Sequence, residues 1–211
     1  EAAGYHAAVH GQKTYNGVAI LAKAPLEDVR PGLPGDPEDH QARYLEATVQ
    51  GLRIASIYLP NGNPAGTEKL AYKLAWMARL GRHAAELLEG DRPVVLAGDF
   101  NVIPEPVDCH DPAAWAGDAL FLPETRQAFR ALLHQGWYDA FRAAHPDTPR
   151  AYTFWDYQGG AFQLDHGIRI DHLLLSPPAV DRLAEVRIDR APRGRPKASD
   201  HTPVVAVLAS P

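Results

Sequence analysis

A chain of 211 residues with 45% hydrophobic and 22% charged side chains can bury one sizeable core, which excludes a disordered, fibrous or disulfide-scaffold protein. No run approaches the roughly 18 apolar residues of a membrane span, and no charged start leads into the short apolar stretch of a secretory signal. The formal net charge of −5 counts against a polyanionic partner, while the lone cysteine, Cys109, excludes an internal disulfide and permits a reducing cytoplasm, the compartment expected here.

Taken along the chain, Tyr5–His10 and Gly17–Lys23 read as strands. Ala24–Gln41, rich in Pro, Gly and acids, reads as a loop. Tyr44–Gln50 and Arg53–Leu59 alternate apolar and polar residues around Gly51, the pattern of a β-hairpin. Between Thr67 and Glu89, apolar residues recur at helical spacing (Leu70, Leu74, Met77, Leu80, Ala84, Leu87, Leu88), with Gly90 as the expected C′ stop. Pro93–Ala97 is wholly apolar and predicts a buried strand. Glu124–His134 predicts a second helix, ending near Gly136. Ile170–Leu175, Leu183–Ile188 and Val204–Leu208 predict three more strands. Hairpins mixed with helix-connected strands predict one α/β domain over residues 1–211 whose sheets are not purely parallel.

Three junctions carry acids. The strand Val94–Ala97 runs into Gly98-Asp99-Phe100-Asn101, where Asp99 and Asn101, two apart, reach one cleft if the chain stays extended; an ordinary Asx turn is the alternative. Asp171 lies in the strand Arg169-Ile170-Asp171-His172, where burying a carboxylate is costly without partners. Asp200-His201 precedes the last apolar strand. Dispersed carboxylates of this kind suit a hard cation such as Mg²⁺, and a histidine oriented by an Asp is a polarised acid or base. No CxxC or HExxH supports zinc. Arg187, Arg190, Arg193, Arg195 and Lys197 form a basic cluster, either the rim of such a site or a solvated loop.

Several stretches, in order along almost the whole chain, resemble the exodeoxyribonuclease III / abasic-site endonuclease family of the endonuclease/exonuclease/phosphatase superfamily. They are His10-Gly11-Gln12-Lys13 with Asn16-Gly17-Val18-Ala19; Tyr58-Leu59-Pro60-Asn61-Gly62; Gly98-Asp99-Phe100-Asn101 with Val102-Ile103-Pro104; Gly136-Trp137-Tyr138-Asp139-Ala140-Phe141-Arg142; Tyr152-Thr153-Phe154-Trp155-Asp156-Tyr157; Gly167-Ile168-Arg169-Ile170-Asp171; and Ser199-Asp200-His201. The fold this resemblance implies is a four-layer α/β sandwich, two mixed sheets face to face with helices outside. The activity it implies is Mg²⁺-dependent (Mn²⁺ as a substitute) hydrolysis of DNA phosphodiesters, as a 3′→5′ exonuclease on double-stranded DNA and an endonuclease 5′ to abasic sites, by a monomer with no membrane contact. In that frame Asp99 positions or deprotonates the attacking water, Asn101 meets the scissile phosphate near the metal, and His201, oriented by Asp171, binds a phosphate oxygen. Asp200 is a metal ligand, with Asp99 and Asn101 beside it. Tyr58 lies against the phosphate or leaving group, Asn61 against the substrate, and Phe154 and Ile168 line an apolar slot for a flipped-out abasic sugar. Core packing is the plain alternative for Phe154, Trp155 and Tyr157.

Two departures from the resemblance bear on function. The family's first strand–helix–strand unit, roughly 30 or more residues with an Asn and the main metal-ligating Glu, has no counterpart here. The chain opens on Glu1 and its one methionine is Met77, so it is expected to be either part of a longer product or a shortened chain lacking half its metal site. Asp165-His166 stands where relatives carry Asn and a basic or polar residue, which adds negative charge beside DNA. Two other functions fit the same residues: a catalytically dead remnant that at most binds DNA, and a phosphodiesterase or phosphatase acting on lipid or inositol phosphate esters.

Overall fold

The computed structural model describes residues 3–210. At its centre is a six-stranded mixed sheet built from β3 (Glu27–Pro31), β4 (Tyr44–Val49), β5 (Leu52–Tyr58), β6 (Val94–Asp99), β7 (Tyr138–Asp139) and β8 (Asp171–Leu175), in the order β3-β4-β5-β6-β8-β7. β5 and β6 are parallel and are joined by the long helix α1 (Glu68–Leu87); the other neighbours are antiparallel. Gln50 and Gly51, both at positive φ (49° and 79°), turn β4 tightly into β5 and set the register Val49↔Leu52.

Alternation along the strands gives the sheet two apolar faces. One meets α1 and α3 (Pro123–His134), where Trp76, Met77, Leu80, Phe129 and Leu132 pack on Tyr44, Ile57, Leu96 and Leu174. The other meets two separate strand pairs: β1 (His6–Gly11) with β2 (Gly17–Ala22), and β9 (Leu183–Ile188) with β10 (Val204–Leu208). Thus one mixed sheet forms as expected, while the second layer is not a mixed sheet but two separate antiparallel ribbons. Between the central sheet and β10 runs an open, largely apolar groove of about 680 Å³, lined by Leu52, Ile54, Val95, Leu173, Val204 and Leu208. Short helices fill the connections: α2 (Pro112–Trp115), α4 (Ala140–Ala144), α5 (Ala161–Leu164) and α6 (Pro177–Val180). Among the described residues no helix is long and apolar enough to cross a membrane.

Three sequence expectations are corrected. The stretch 24–41 is not all loop, because β3 pairs along the sheet edge. All five of its residues are exposed and its register is interrupted near Asp28 (φ +47), so it leaves no period-two apolar signal. Helix α1 stops at Leu87, capped by Leu88 in the right-handed region, before Gly90. Strand β6 runs two residues beyond Ala97 and includes Gly98 and Asp99. By contrast Gly136, at φ +116, does follow the end of α3.

The buried face of α1 holds more than its apolar stripe. Lys73, Arg79 and His83 are buried with Trp76, Met77, Leu80 and Ala84, whereas Leu70 and Leu74 are only half-buried. Ion pairing makes this possible. His83 meets Glu46, itself 1% exposed, which also accepts from Tyr44 (2.8 Å) and Arg53 (2.6 Å). Burial alone would raise the Glu46 carboxyl, but these three donors hold it at about 2. Arg79 likewise pairs with Asp39.

A second buried ion network joins two of the quoted motifs through Asp108, which lies outside them. Arg169, 1% exposed, donates to both oxygens of Asp108 (2.7 and 3.1 Å) and to Asp139 (2.7 Å), and Arg142 closes on Asp108 at 2.5 Å. Arg169 also reaches His172 Nδ1 (3.0 Å), while His172 Nε2 lies 2.9 Å from the Val102 carbonyl. Burial and the Arg169 charge push His172 down to about 4, so it is neutral and accepts from the guanidinium.

Candidate active site

The acids expected to act together converge where the parallel pair β5/β6 ends. Asp99 is the last residue of β6, opposite Tyr58 of β5 and Asp171 of β8 in register. All three side chains point to the face carrying the two ribbons. Gly98 has φ +146, and a Cβ there would overlap the Ile57 carbonyl of β5. The crowding it relieves is therefore against the neighbouring strand, within the sheet, and this close approach holds Asp99 in line with its partners.

Beyond Asp99 the chain turns at once. Asn101 sits at φ +47, and its N–H donates to Asp99 Oδ1 (2.8 Å), so the chain does not stay extended and the Asx turn, the alternative reading, is what forms. The Asn101 amide donates to the Leu59 carbonyl (2.9 Å) and Asp99 Oδ2 (3.1 Å), and its oxygen accepts from Asn61 (3.1 Å). Asn101 is buried with its polar atoms on protein partners, whereas Asn61 is exposed at the surface of the pair. Tyr58 is half-buried, with the Arg43 guanidinium 4.9 Å from its ring centre.

From the other side, His201 Nδ1 lies 2.8 Å from Asp171 Oδ2. Burial alone would lower the His201 imidazolium, but the hydrogen bond and charge of Asp171, with Asp99 and Asp200 behind, raise it to about 9, so it carries a proton at neutral pH. Asp99 is pushed up, first by burial and then by the facing Asp171; His201, the Asn101 N–H and Lys73 oppose this. Asp200 is half-exposed beside His201, its carbonyl accepting from Trp155 N–H (2.9 Å).

The stretch Thr153–Trp155 ties these pieces together. The buried Thr153 hydroxyl accepts from the N–H groups of Ile170 and Asp171 (3.1 Å each), and Thr202 N–H donates to the Thr153 carbonyl (2.8 Å). Phe154 bridges to both Ile168 and His201, with its ring 5.0 Å from the imidazole. Ile168 is 1% exposed and packs with Ile103, Cys109, Leu120 and Ile170. The apolar cluster behind Phe154 is therefore closed, and Phe154 and Trp115 present its partly open faces. Trp155 is fully buried, while Tyr157 is 65% exposed.

Two features of the rim differ from expectation. Arg190 stacks on Trp155 and Phe162, and Arg193 on Tyr157 and Phe162, so two members of the basic cluster brace the 155–165 segment. The acid at Asp165 does not add a bare charge: it accepts from Trp155 Nε1 (3.2 Å) and Arg190 (2.7 Å) and lies 3.7 Å from Arg150.

The residues missed in the sequence are Thr153, Asp108 and, above all, Lys73. Lys73 is 0% exposed. Burial pushes its ammonium down to about 7, with Asp99 and Asp118 opposing. A signal existed: Lys73 stands three, four and seven residues before Trp76, Met77 and Leu80, on a buried helical stripe where a lysine needs a reason.

The donors here, carboxylates of Asp99, Asp171 and Asp200 with the Asn101 amide, are hard oxygens. Two facing carboxylates, one pushed upward by the other, suit a divalent cation that retains waters. Among the described residues, no three ligating side chains close into a cage by themselves.

Residues 2–201 match the Endonuclease/Exonuclease/phosphatase family. An exodeoxyribonuclease III from Haemophilus influenzae is 32% identical over 96% of this chain and 80% of its own length. An AP endonuclease structure from Archaeoglobus fulgidus superposes with a TM-score of 0.93 at 37% identity, covering 98% of this chain and 80% of that one. The 3′ phosphatase NExo from Neisseria, solved with a product DNA hairpin, superposes with a TM-score of 0.95 at 40% identity, covering 99% and 81%.

Proposed function

Because the chain belongs to the Endonuclease/Exonuclease/phosphatase family, as an exodeoxyribonuclease III/AP-endonuclease-type enzyme, we propose that it hydrolyses phosphodiesters of double-stranded DNA in repair, removing nucleotides 3′→5′ and cutting 5′ to abasic sites. The observation that carries the reading is the Asp171–His201 pair facing Asp99 across β6/β8, beside the Asn61–Asn101 pair. A protonated His201 donates to a non-bridging phosphate oxygen. Asn61 presents its amide to the same phosphate. Asp99, raised in pKa by burial and Asp171, takes a proton from the attacking water at neutral pH. Asp171 keeps His201 charged and oriented, and Tyr58 flanks the leaving oxygen. Mg²⁺, or Mn²⁺ in its place, would be held by Asp99 and Asp200 with Asn101 beside them, and would supply Lewis-acid offset of the phosphate charge.

The test is cleavage of a 3′-recessed duplex and an abasic-site duplex, with inositol phosphate and phospholipid esters as controls, across a Mg²⁺ titration. Cleavage of the lipid esters but not of DNA would overturn the substrate, and a folded protein that binds duplex without cutting would be the inactive remnant. Phe154→Ala separates the two DNA activities. Phe154 is the partly open apolar face of its cluster that lies against His201, so its loss is expected to lower abasic-site incision by about tenfold, since capture of a flipped nucleotide depends on such a surface. Digestion of an intact 3′ end should fall less. Equal losses on both substrates would assign Phe154 to packing against His201.

A further inference from the structure

Lys73 reaches the site from beneath. It lies on the sheet-facing side of α1, 0% exposed. Its Nζ donates to the backbone carbonyls of Asn61 (3.0 Å) and Asn101 (2.6 Å), which belong to different loops. Those carbonyls come from the two residues whose side chains also pair with each other. The loop after β5 is shaped around the lysine: Gly62 has φ +90, and a Cβ there would lie 2.6 Å from Lys73 Cδ and 3.2 Å from the Ala119 Cβ. Asn101 is held in the left-handed region, uncommon for a residue with a side chain. A buried amino group that donates to two carbonyls, at 3.0 and 2.6 Å, ties their loops together, most strongly while it is protonated.

We infer that Lys73 is a positioning residue: its ammonium locks the Asn61 and Asn101 backbones to one point on α1, and thereby fixes the Asn61 amide against the phosphate and the Asn101 amide against Asp99. The inference rests on the reading given under Proposed function. Its logic is geometric. Without the ammonium, the buried Asn101 carbonyl and the part-buried Asn61 carbonyl lose their donor and repel across the space it filled, so each loop turns to find water. The side chains of Asn61 and Asn101 then leave their register with Asp99, and small displacements of groups around a reacting centre are costly in rate.

The experiment compares Lys73→Met, which keeps the stem and removes the charge, with Met77→Ala, a core deletion one turn along the same helix. Both are assayed well below their melting temperatures on the 3′-recessed duplex with Mg²⁺. Lys73→Met is expected to lose about 10–100-fold in kcat, the usual cost of removing a supporting contact, with duplex Kd moving less than about threefold, whereas Met77→Ala, though destabilised, stays near wild type per folded molecule. Nuclear magnetic resonance provides a second readout that does not need turnover: in Lys73→Met the Asn101 side-chain amide protons should lose protection while amides of β4 and β5 keep theirs. Loss of kcat no greater than in Met77→Ala, or unchanged Asn101 protection, overturns the inference. If Lys73→Met does not fold, Lys73→Gln is read the same way, with an intermediate loss expected because an amide can satisfy one carbonyl. If the wild-type protein cuts no DNA, the catalytic reading fails by itself, and the amide protection alone decides whether Lys73 positions the two asparagines.

Discussion

Asp99→Asn is expected to abolish DNA cleavage while leaving duplex affinity within a few-fold of wild type. The amide has the shape of the carboxylate and can still accept from the Asn101 N–H, so the Asx turn and the strand pairing across β5, β6 and β8 remain. What disappears is a group that can take a proton and balance a cation. Loss of a general base costs about 10²–10⁴ in rate. The same change removes the repulsion between Asp99 and Asp171, so the variant should be at least as stable as wild type toward urea. That combination, a more stable and inactive protein, distinguishes a chemical role from a structural one. Retention of more than about a tenth of wild-type single-turnover rate would remove Asp99 from the mechanism.

The second large effect is non-additivity at His201 and Asp171. Each alanine substitution alone is expected to do most of the damage, because Asp171 acts on the reaction through His201. The hydrogen bond at 2.8 Å is what raises the imidazolium to about 9. Asp171→Ala should therefore shift the alkaline limb of the pH–rate profile downward, from near 9 toward the ordinary histidine value, in addition to lowering the rate. The linkage sign follows. His201 has a folded pKa above its unfolded one, so its contribution to stability is complete below about 6.5 and is lost as pH rises through about 9. In Asp171→Ala this alkaline loss of stability should shrink and move to lower pH, with Asp99 and Asp200 still facing the imidazole. Independent, multiplying rate losses and an unmoved alkaline limb would make Asp171 a structural acid.

Much of this fold could be read from the chain because its signals are local. The hairpin at Gln50-Gly51, the apolar β6 segment and the α3 stripe each carry their own period or turn chemistry, and each lies within a residue or two of its predicted bounds. The acids of the site were legible for a related reason: Asp99, Asp171 and Asp200-His201 interrupt or flank apolar strands, where charge needs an explanation. What escaped depends on partners far away in sequence. β3 exists because β4 offers a free edge, and none of its own exposed residues announces it. Lys73 was hidden by the expectation that a helix buries only apolar side chains, when Glu46, Asp39 and two loop carbonyls let α1 bury a lysine, an arginine and a histidine beside Trp76, Met77 and Leu80. The closure of the cluster around Ile168 depends on Leu120 and Cys109 arriving from a separate loop.

The ion network around Arg169 bears on how this sequence can drift. Asp108, Asp139, Arg142 and Arg169 come from three separate stretches, and two of those stretches are among the motifs by which the family resemblance is recognised. Removing one charge strands its partners in a dry interior, at about 3–5 kcal/mol, whereas replacing the whole set with well-packed apolar side chains can be neutral. Single steps away from the set are thus closed while a concerted step is open, so the four positions are constrained to vary as a block. A fingerprint built on these four positions registers common ancestry of the scaffold, whereas the stretches that hold Asp99 and His201 report on the proposed chemistry.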